Sequence, residues 1–103
     1  MRAGGLDPAL HALARLQIAA LLARVDDAEF ATIRDIVEVS DSVLSKHLSA
    51  LRDAGYVRLR KAAHEGRQRT WVSLTPPGRK AFAAHMRTLQ EMVAHAQLAV
   101  AAE

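Results

Sequence analysis

Residues 40–80, SDSVLSKHLSALRDAGYVRLRKAAHEGRQRTWVSLTPPGRK, change their hydrophobic period part-way along. Leu44, Leu48 and Leu51 recur at helical spacing, and Gly55 stands where a helix stops. From Tyr56 the period becomes two: Val57 and Leu59 alternate with Arg58 and Arg60, as in a half-buried strand. Such a chain folds locally as a helix running into a hairpin. The segment holds nine of the fourteen Lys/Arg and three of the eleven acids, a net +6 against −3 for the remainder. A helix followed by a cationic hairpin is a geometry suited to gripping duplex nucleic acid.

At 103 residues the chain is expected to form one domain with one modest core. Alanine and leucine dominate its apolar set, which favours helix. It has no cysteine, which excludes disulfides, a thiolate metal site and a thiol nucleophile. MRAGGLDP lacks the apolar core of a signal peptide, and no apolar run is long enough to span a bilayer. The expectation is a soluble cytoplasmic protein with no membrane partner. Paired carboxylates in an apolar setting, a nucleophile motif and a glycine-rich phosphate loop are all missing. An enzyme is therefore not expected, nor any cofactor.

Asp7 and Pro8 open a first helix over residues 8–25, apolar nearly all round apart from a wedge with His11 and Arg15. So short a chain has little to cover both faces, which suggests a second subunit. Glu29 and Phe30 allow a short strand. Thr32 is read as the cap of a second helix, with Ile33, Ile36 and Val37 inward. Ser40 caps a third helix over 41–54. The stretch 62–68, with Gly66, is read as a hairpin loop, and 69–74 as the return strand with Val72 and Leu74 inward. Thr75 caps a last helix, with prolines at its first two positions, reaching about Ala101. That helix is longer than a small core needs, and its apolar stripe calls for a two-fold partner.

Three blocks in this order, LDPALHALARLQIAALL, LSKHLSALRDAGYV and GRQRTWVSLTPPGRKAF, resemble the MarR/ArsR-type winged helix-turn-helix transcriptional regulators. The resemblance is nearest to their small winged-helix DNA-binding domain group and covers about residues 6–95. It implies a mainly α fold with a small β-hairpin wing and a long C-terminal dimerisation helix. One domain would fill 1–103, with the helix-turn-helix and wing over 6–75 and the dimerisation helix over 76–102. It also implies a homodimer that binds double-stranded operator DNA and represses transcription. The chain departs from many ArsR-type sensors in having no cysteine. It also lacks one of the helices that help build the ligand pocket of full-length MarR-type proteins, so any small-molecule effector is unknown.

The resemblance places DNA contacts on the recognition helix at Ser40, Ser42, Val43, Ser45, Lys46 and Ser49, and on the wing at Lys61, His64, Arg67 and Arg69. Thr32 completes the candidate set. The residue types suit that work. Serine hydroxyls let the backbone approach closely and can donate or accept at a base or phosphate, Val43 could meet a thymine methyl, and Lys46 could reach a guanine edge. Arg67, near the hairpin tip, suits a minor groove. Asp41 would repel phosphate and is read as part of the helix cap. The candidate dimer seam comprises Leu6, Leu10, Leu13 and Leu16 with Phe82, Met86, Leu89, Met92, Val93, Ala96 and Val100.

Each assignment has a plainer counterpart. Arg58 and Arg60 equally fit the outer face of an edge strand, and Trp71 equally fits a cap on the core. His85 and His95 do not share a helical face, His11 could approach His85, and His47 reads as a packed, hydrogen-bonded residue. No metal site is expected from this spacing. Two rival readings remain: a winged helix used for protein interaction, and a ligand- or pH-responsive variant of the same regulator.

Overall fold

The structure is a computed structural model that describes residues 6–101, apart from the side chains of His11, Ala99, Val100 and Ala101. Its elements run α1 (Pro8–His11), α2 (Leu13–Leu22), β1 (Ala28–Glu29), α3 (Phe30–Val37), α4 (Asp41–Asp53), β2 (Val57–His64), β3 (Arg67–Leu74) and α5 (Pro76–Ala101). The strands form one antiparallel sheet in the order β1-β3-β2. Three helices stacked on a small twisted sheet, with a long helix leaving it, make a winged helix-turn-helix.

The core is built from the stripes visible in the sequence. Ile18, Ala19 and Leu22 of α2, Ile33 of α3, and Leu44, Leu48 and Leu51 of α4 are buried together with Val57, Val72 and Leu74 of the hairpin. Every one of these is aliphatic, so the core relies on packing density rather than on aromatic bulk.

The expected single helix over 8–25 is two. Ala12 is extended, at φ −67° and ψ 134°, and separates α1 from α2. The break follows from what holds α1. Asp7 caps it by accepting from the Ala9 amide at 2.9 Å, accepts the phenolic proton of Tyr56, and donates its own amide to His85 Nδ1 at 3.0 Å. These anchors on other elements set the direction of α1 independently of α2. Leu10 is consequently fully buried in the protomer's own core, which removes it from the proposed seam.

Two further boundaries differ. α3 begins at Phe30, after Glu29 leaves the sheet, so Thr32 lies inside its first turn and caps nothing. Ile36 is 58% exposed rather than inward, because Ile33 and Val37 hold the inner stripe. Glu38, at φ 60°, then ends α3 in the left-handed region. The hairpin loop read over 62–68 is a two-residue turn, Glu65-Gly66, with φ values of 52° and 77°. Two consecutive positive φ values are the signature of the tight turn whose twist matches that of paired strands. The ladder therefore runs from Val57↔Leu74 out to His64↔Arg67.

Candidate nucleic-acid interface

α4 is seated by its buried leucines and closed at both ends. Ser40 Oγ accepts from the Val43 amide at 3.2 Å. At the other end Gly55, at φ 83°, lets its own amide reach the Arg52 carbonyl at 2.8 Å and the Tyr56 amide reach Leu51 at 2.9 Å. The outer face presents Ser42, Val43, Ser45 and Lys46 to solvent, with Ser40 exposed at the cap and Ser49 half-buried. Lys46 makes no ion pair among the described residues. Asp41 does: Arg34 of α3 donates to it at 2.9 Å and to Asp35 at 3.0 Å. Its hydrogen bonds to Asp41 and Asp35 push the Arg34 guanidinium pKa further up. The pair ties the two helices of the helix-turn-helix together and matches the one negative charge at the start of α4.

The wing sorts its cations by strand register. Arg58, Arg60, His64, Arg67, Arg69 and Trp71 share the outer face of the sheet, while Lys61, paired with Thr70, lies on the other. Arg67 and Lys61 are exposed and carry no ion pair among the described residues. His64 stands edge-on to Trp71, with ring centroids 6.0 Å apart. Arg69 is held differently: one terminal nitrogen donates to both carboxylate oxygens of Glu29, at 2.8 and 2.9 Å, with the side chains 28% and 19% exposed. Arg69 is thus a brace between the wing and β1 rather than a free wing cation. Arg60 is similarly engaged with Asp27 at 3.3 Å. The sequence reading counted Arg69 among the wing contacts because a loop as long as 62–68 would have ended beside it, whereas the strands pair as far as His64↔Arg67.

The TPPGR block orients the wing against α5. Thr75 Oγ1 accepts from the Gly78 amide at 3.0 Å and donates to the Gly55 carbonyl at 2.6 Å. Arg79 donates to the Ala23 and Val25 carbonyls at the end of α2, at 3.2 and 3.0 Å. From there α5 extends for 26 residues, about 39 Å at 1.5 Å per residue. Its first half packs on the core through Ala81 and Phe82, and His85 and Thr88 are buried. Met86, Leu89 and Met92 are half-buried, while Ala96 is exposed, Val93 is 56% exposed and Leu98 69%. On the other arm of the expected seam, Leu6 and Leu16 are half-buried and Leu13 is 71% exposed. Val100 falls outside the described side chains. The radius of gyration of 15.9 Å exceeds the roughly 13 Å of a compact chain of this length.

Residues 14–93 match the family model described as a winged helix DNA-binding domain. The chain belongs to that family. An uncharacterised protein of Methanocaldococcus jannaschii is 32% identical over 72 residues, covering 70% of this chain and 78% of its own length. A transcriptional regulator homologue from Pyrococcus horikoshii OT3 superposes with a TM-score of 0.80 at 24% identity, covering 84% of this chain and 86% of that one. The homodimeric winged helix-turn-helix DNA-binding domain of a possible ArsR-family regulator from Mycobacterium bovis gives 0.69 at 25% identity, over 84% and 77% of the two chains. The family match identifies a winged-helix DNA-binding domain rather than an enzyme, and the neighbours share its fold.

Thr32 is exposed in the first turn of α3. Among the described residues no group of three or more His, Cys, Asp or Glu could hold a metal, and no helix is long and apolar enough to cross a membrane. His47 is half-buried, and burial first, then the charge of Arg15, lower its pKa. The hydrogen bond expected for it does not form among the described residues. A groove of about 310 Å³ lies between α2 and α3, lined by Gln17, Ala20, Leu21, Arg24, Ile36 and Val37. Arg58, read from the sequence as the outer face of an edge strand, is exposed on that face and makes no ion pair among the described residues.

Proposed function

We propose that this chain is a homodimeric transcriptional regulator of MarR/ArsR type, a repressor that reads a pseudo-palindromic operator. The observation that carries the reading is charge accounting around α4. Arg34 compensates Asp41, while Lys46, Arg67 and Lys61 keep exposed charges with no acidic partner among the described residues. That leaves a positive surface made of the outer face of one helix and the tip of one hairpin. The helix enters the major groove with Ser42, Val43, Ser45 and Lys46 toward base edges, and Arg67 reaches the flanking minor groove. Two copies joined through the exposed half of α5 and Leu13 would present two such helices about one DNA turn, roughly 34–36 Å, apart. The homodimeric neighbour from Mycobacterium bovis supports that assembly.

The test is binding of the purified protein to labelled fragments of its own upstream region, with unrelated competitor DNA, at two salt concentrations. With about six phosphate contacts per dimer, affinity should fall by about 1,000-fold between 50 and 200 mM salt. Lys46→Ala with Arg67→Ala should abolish the competitor-resistant complex. Unchanged binding by that double variant, or no salt-dependent duplex binding at all, would remove the reading.

A further inference from the structure

We propose that the groove between α2 and α3 is a binding site for a small aliphatic carboxylate, and that its occupancy tunes duplex binding. The tuning rests on the duplex-binding reading above, whereas the site stands without it.

The walls come from two helices. Gln17, Ala20, Leu21 and Arg24 follow the i, i+3, i+4, i+7 spacing of one helical stripe, and Ile36 and Val37 of α3 complete the lining of about 310 Å³. Leu21 and Val37 also pack against the core, while Ile36 is 58% exposed. The apolar lining, Ala20, Leu21, Ile36 and Val37, is wholly aliphatic. With no ring to stack on, such a trough suits a saturated carbon chain better than a planar aromatic one.

The ends are polar. Arg24 stands at one end, and Gln17 lies two helical turns earlier, about 10 Å back along the chain. The Arg24 side chain is exposed and makes no hydrogen bond or ion pair among the described residues. The nearby acids leave it unmatched. Asp35 of α3 receives Arg34. Asp26 shares a neighbouring polar hollow with Arg24 and Arg79 but pairs with neither among the described residues. An uncompensated guanidinium beside an apolar trough fits a carboxylate head whose tail lies in the trough.

Size argues for a small molecule rather than a protein. A volume of about 310 Å³ falls at the lower end of ligand sites, roughly 300–1,000 Å³. A stable protein partner covers roughly 20–30 residues a side, far more than this lining offers.

Position supplies the link to duplex binding. None of the lining residues belongs to α4 or to the wing, so ligand and duplex do not contend for one surface. Arg34 of α3 donates to Asp41 at the start of α4 at 2.9 Å. A ligand seated against Ile36 and Val37 therefore acts on the helix that braces the recognition helix. By linkage, ligand and duplex change each other's affinity by the same factor.

The experiment is an amide-resolved NMR titration of the full chain with hexanoate, hexanamide and acetate, comparing wild type, Arg24→Gln and Ile36→Asn. Hexanoate should shift the amides of residues 17–24 and 36–37 saturably. Hexanamide, which lacks the charge, and acetate, which lacks the tail, should each bind roughly ten-fold more weakly. Arg24→Gln should bring hexanoate down to the level of hexanamide and leave hexanamide unchanged, while Ile36→Asn should weaken both. Both positions are exposed, so the fold should persist, and the same spectra report it. Undiminished hexanoate binding by Arg24→Gln, shifts scattered over the chain, or no shifts would overturn the site. Shifts of the same amides on dilution of the protein, with none from hexanoate, would make the groove a contact between copies and overturn it too. Saturating hexanoate should change the duplex affinity of wild type by at least about five-fold. An unchanged affinity would overturn the tuning and keep the site. Absence of duplex binding by the ligand-free protein would overturn the regulator reading and the tuning together, while the spectra still decide the site.

Discussion

A Cβ added to Gly78 would stand 2.1 Å from the carbonyl oxygen of Tyr56. That oxygen already accepts the Thr75 amide at 2.9 Å, so the start of α5 lies directly on the backbone that leaves α4. The two elements are locked by contact between main chains, with no side chain free to yield. Gly78→Ala should destabilise the domain by about 1–3 kcal/mol, the usual range for overpacking. For a domain of this size that lowers Tm by at least about 4 °C. Thermal unfolding followed by circular dichroism checks it, and an unchanged Tm would mean the close approach relaxes freely.

Arg67 and Arg69 are two residues apart and should behave as opposites. Arg69→Ala removes a half-buried partner of Glu29 and should cost on the order of 1–3 kcal/mol of stability. A double-mutant cycle with Glu29→Ala should show coupling. Arg67→Ala should leave the unfolding free energy within about 0.5 kcal/mol of wild type and weaken duplex binding. Equal effects of the two substitutions on stability would contradict the brace.

Val93 and Leu98 expose apolar surface on the part of α5 that has left the core. Under the dimer reading, Val93→Glu should turn a dimer into a monomer at micromolar concentration, measured by sedimentation equilibrium, with the helical signal retained. Operator affinity should then drop steeply, because each half-site would bind separately. A wild-type protein that is itself monomeric at that concentration would defeat this expectation.

His47 sets a direction for pH dependence. Its folded pKa lies below the usual 6.5 because of burial and the Arg15 charge. The unfolded chain therefore takes up a proton at higher pH than the folded one. Stability from this group is complete above about pH 6.5 and is lost as pH falls toward the folded pKa. Chemical denaturation of wild type and His47→Gln between pH 5 and 8 should show a smaller acid loss in the variant. A larger loss in the variant would reverse the sign.

Much of the fold was legible because it rests on short-range patterns. The leucine spacing of α4, its Ser40 cap and its Gly55 stop each act within one or two turns, so residues 40–55 carry their own instructions. The same holds for Thr75 and the two prolines that open α5. The turn at Glu65-Gly66 was less legible. Beyond the core edge, Ala62, Ala63 and Gln68 bury little, and the alternation that marks a strand fades. The outer recognition residues Ser42, Ser45 and Lys46 could be placed for the same local reason as the helix that bears them.

What the amino-acid sequence determined alone was the order of the main helices and the hairpin, the leucine face of α4, and where the positive charge collects. These follow from neighbours a few positions apart. The tertiary structure alone decided that Asp7 anchors α1 on Tyr56 and His85, that Leu10 belongs to the protomer core, and that Glu29 captures Arg69. Those contacts join residues 40 to 78 positions apart. No periodicity reports them, because which charge meets which is set by the packing of elements on one another.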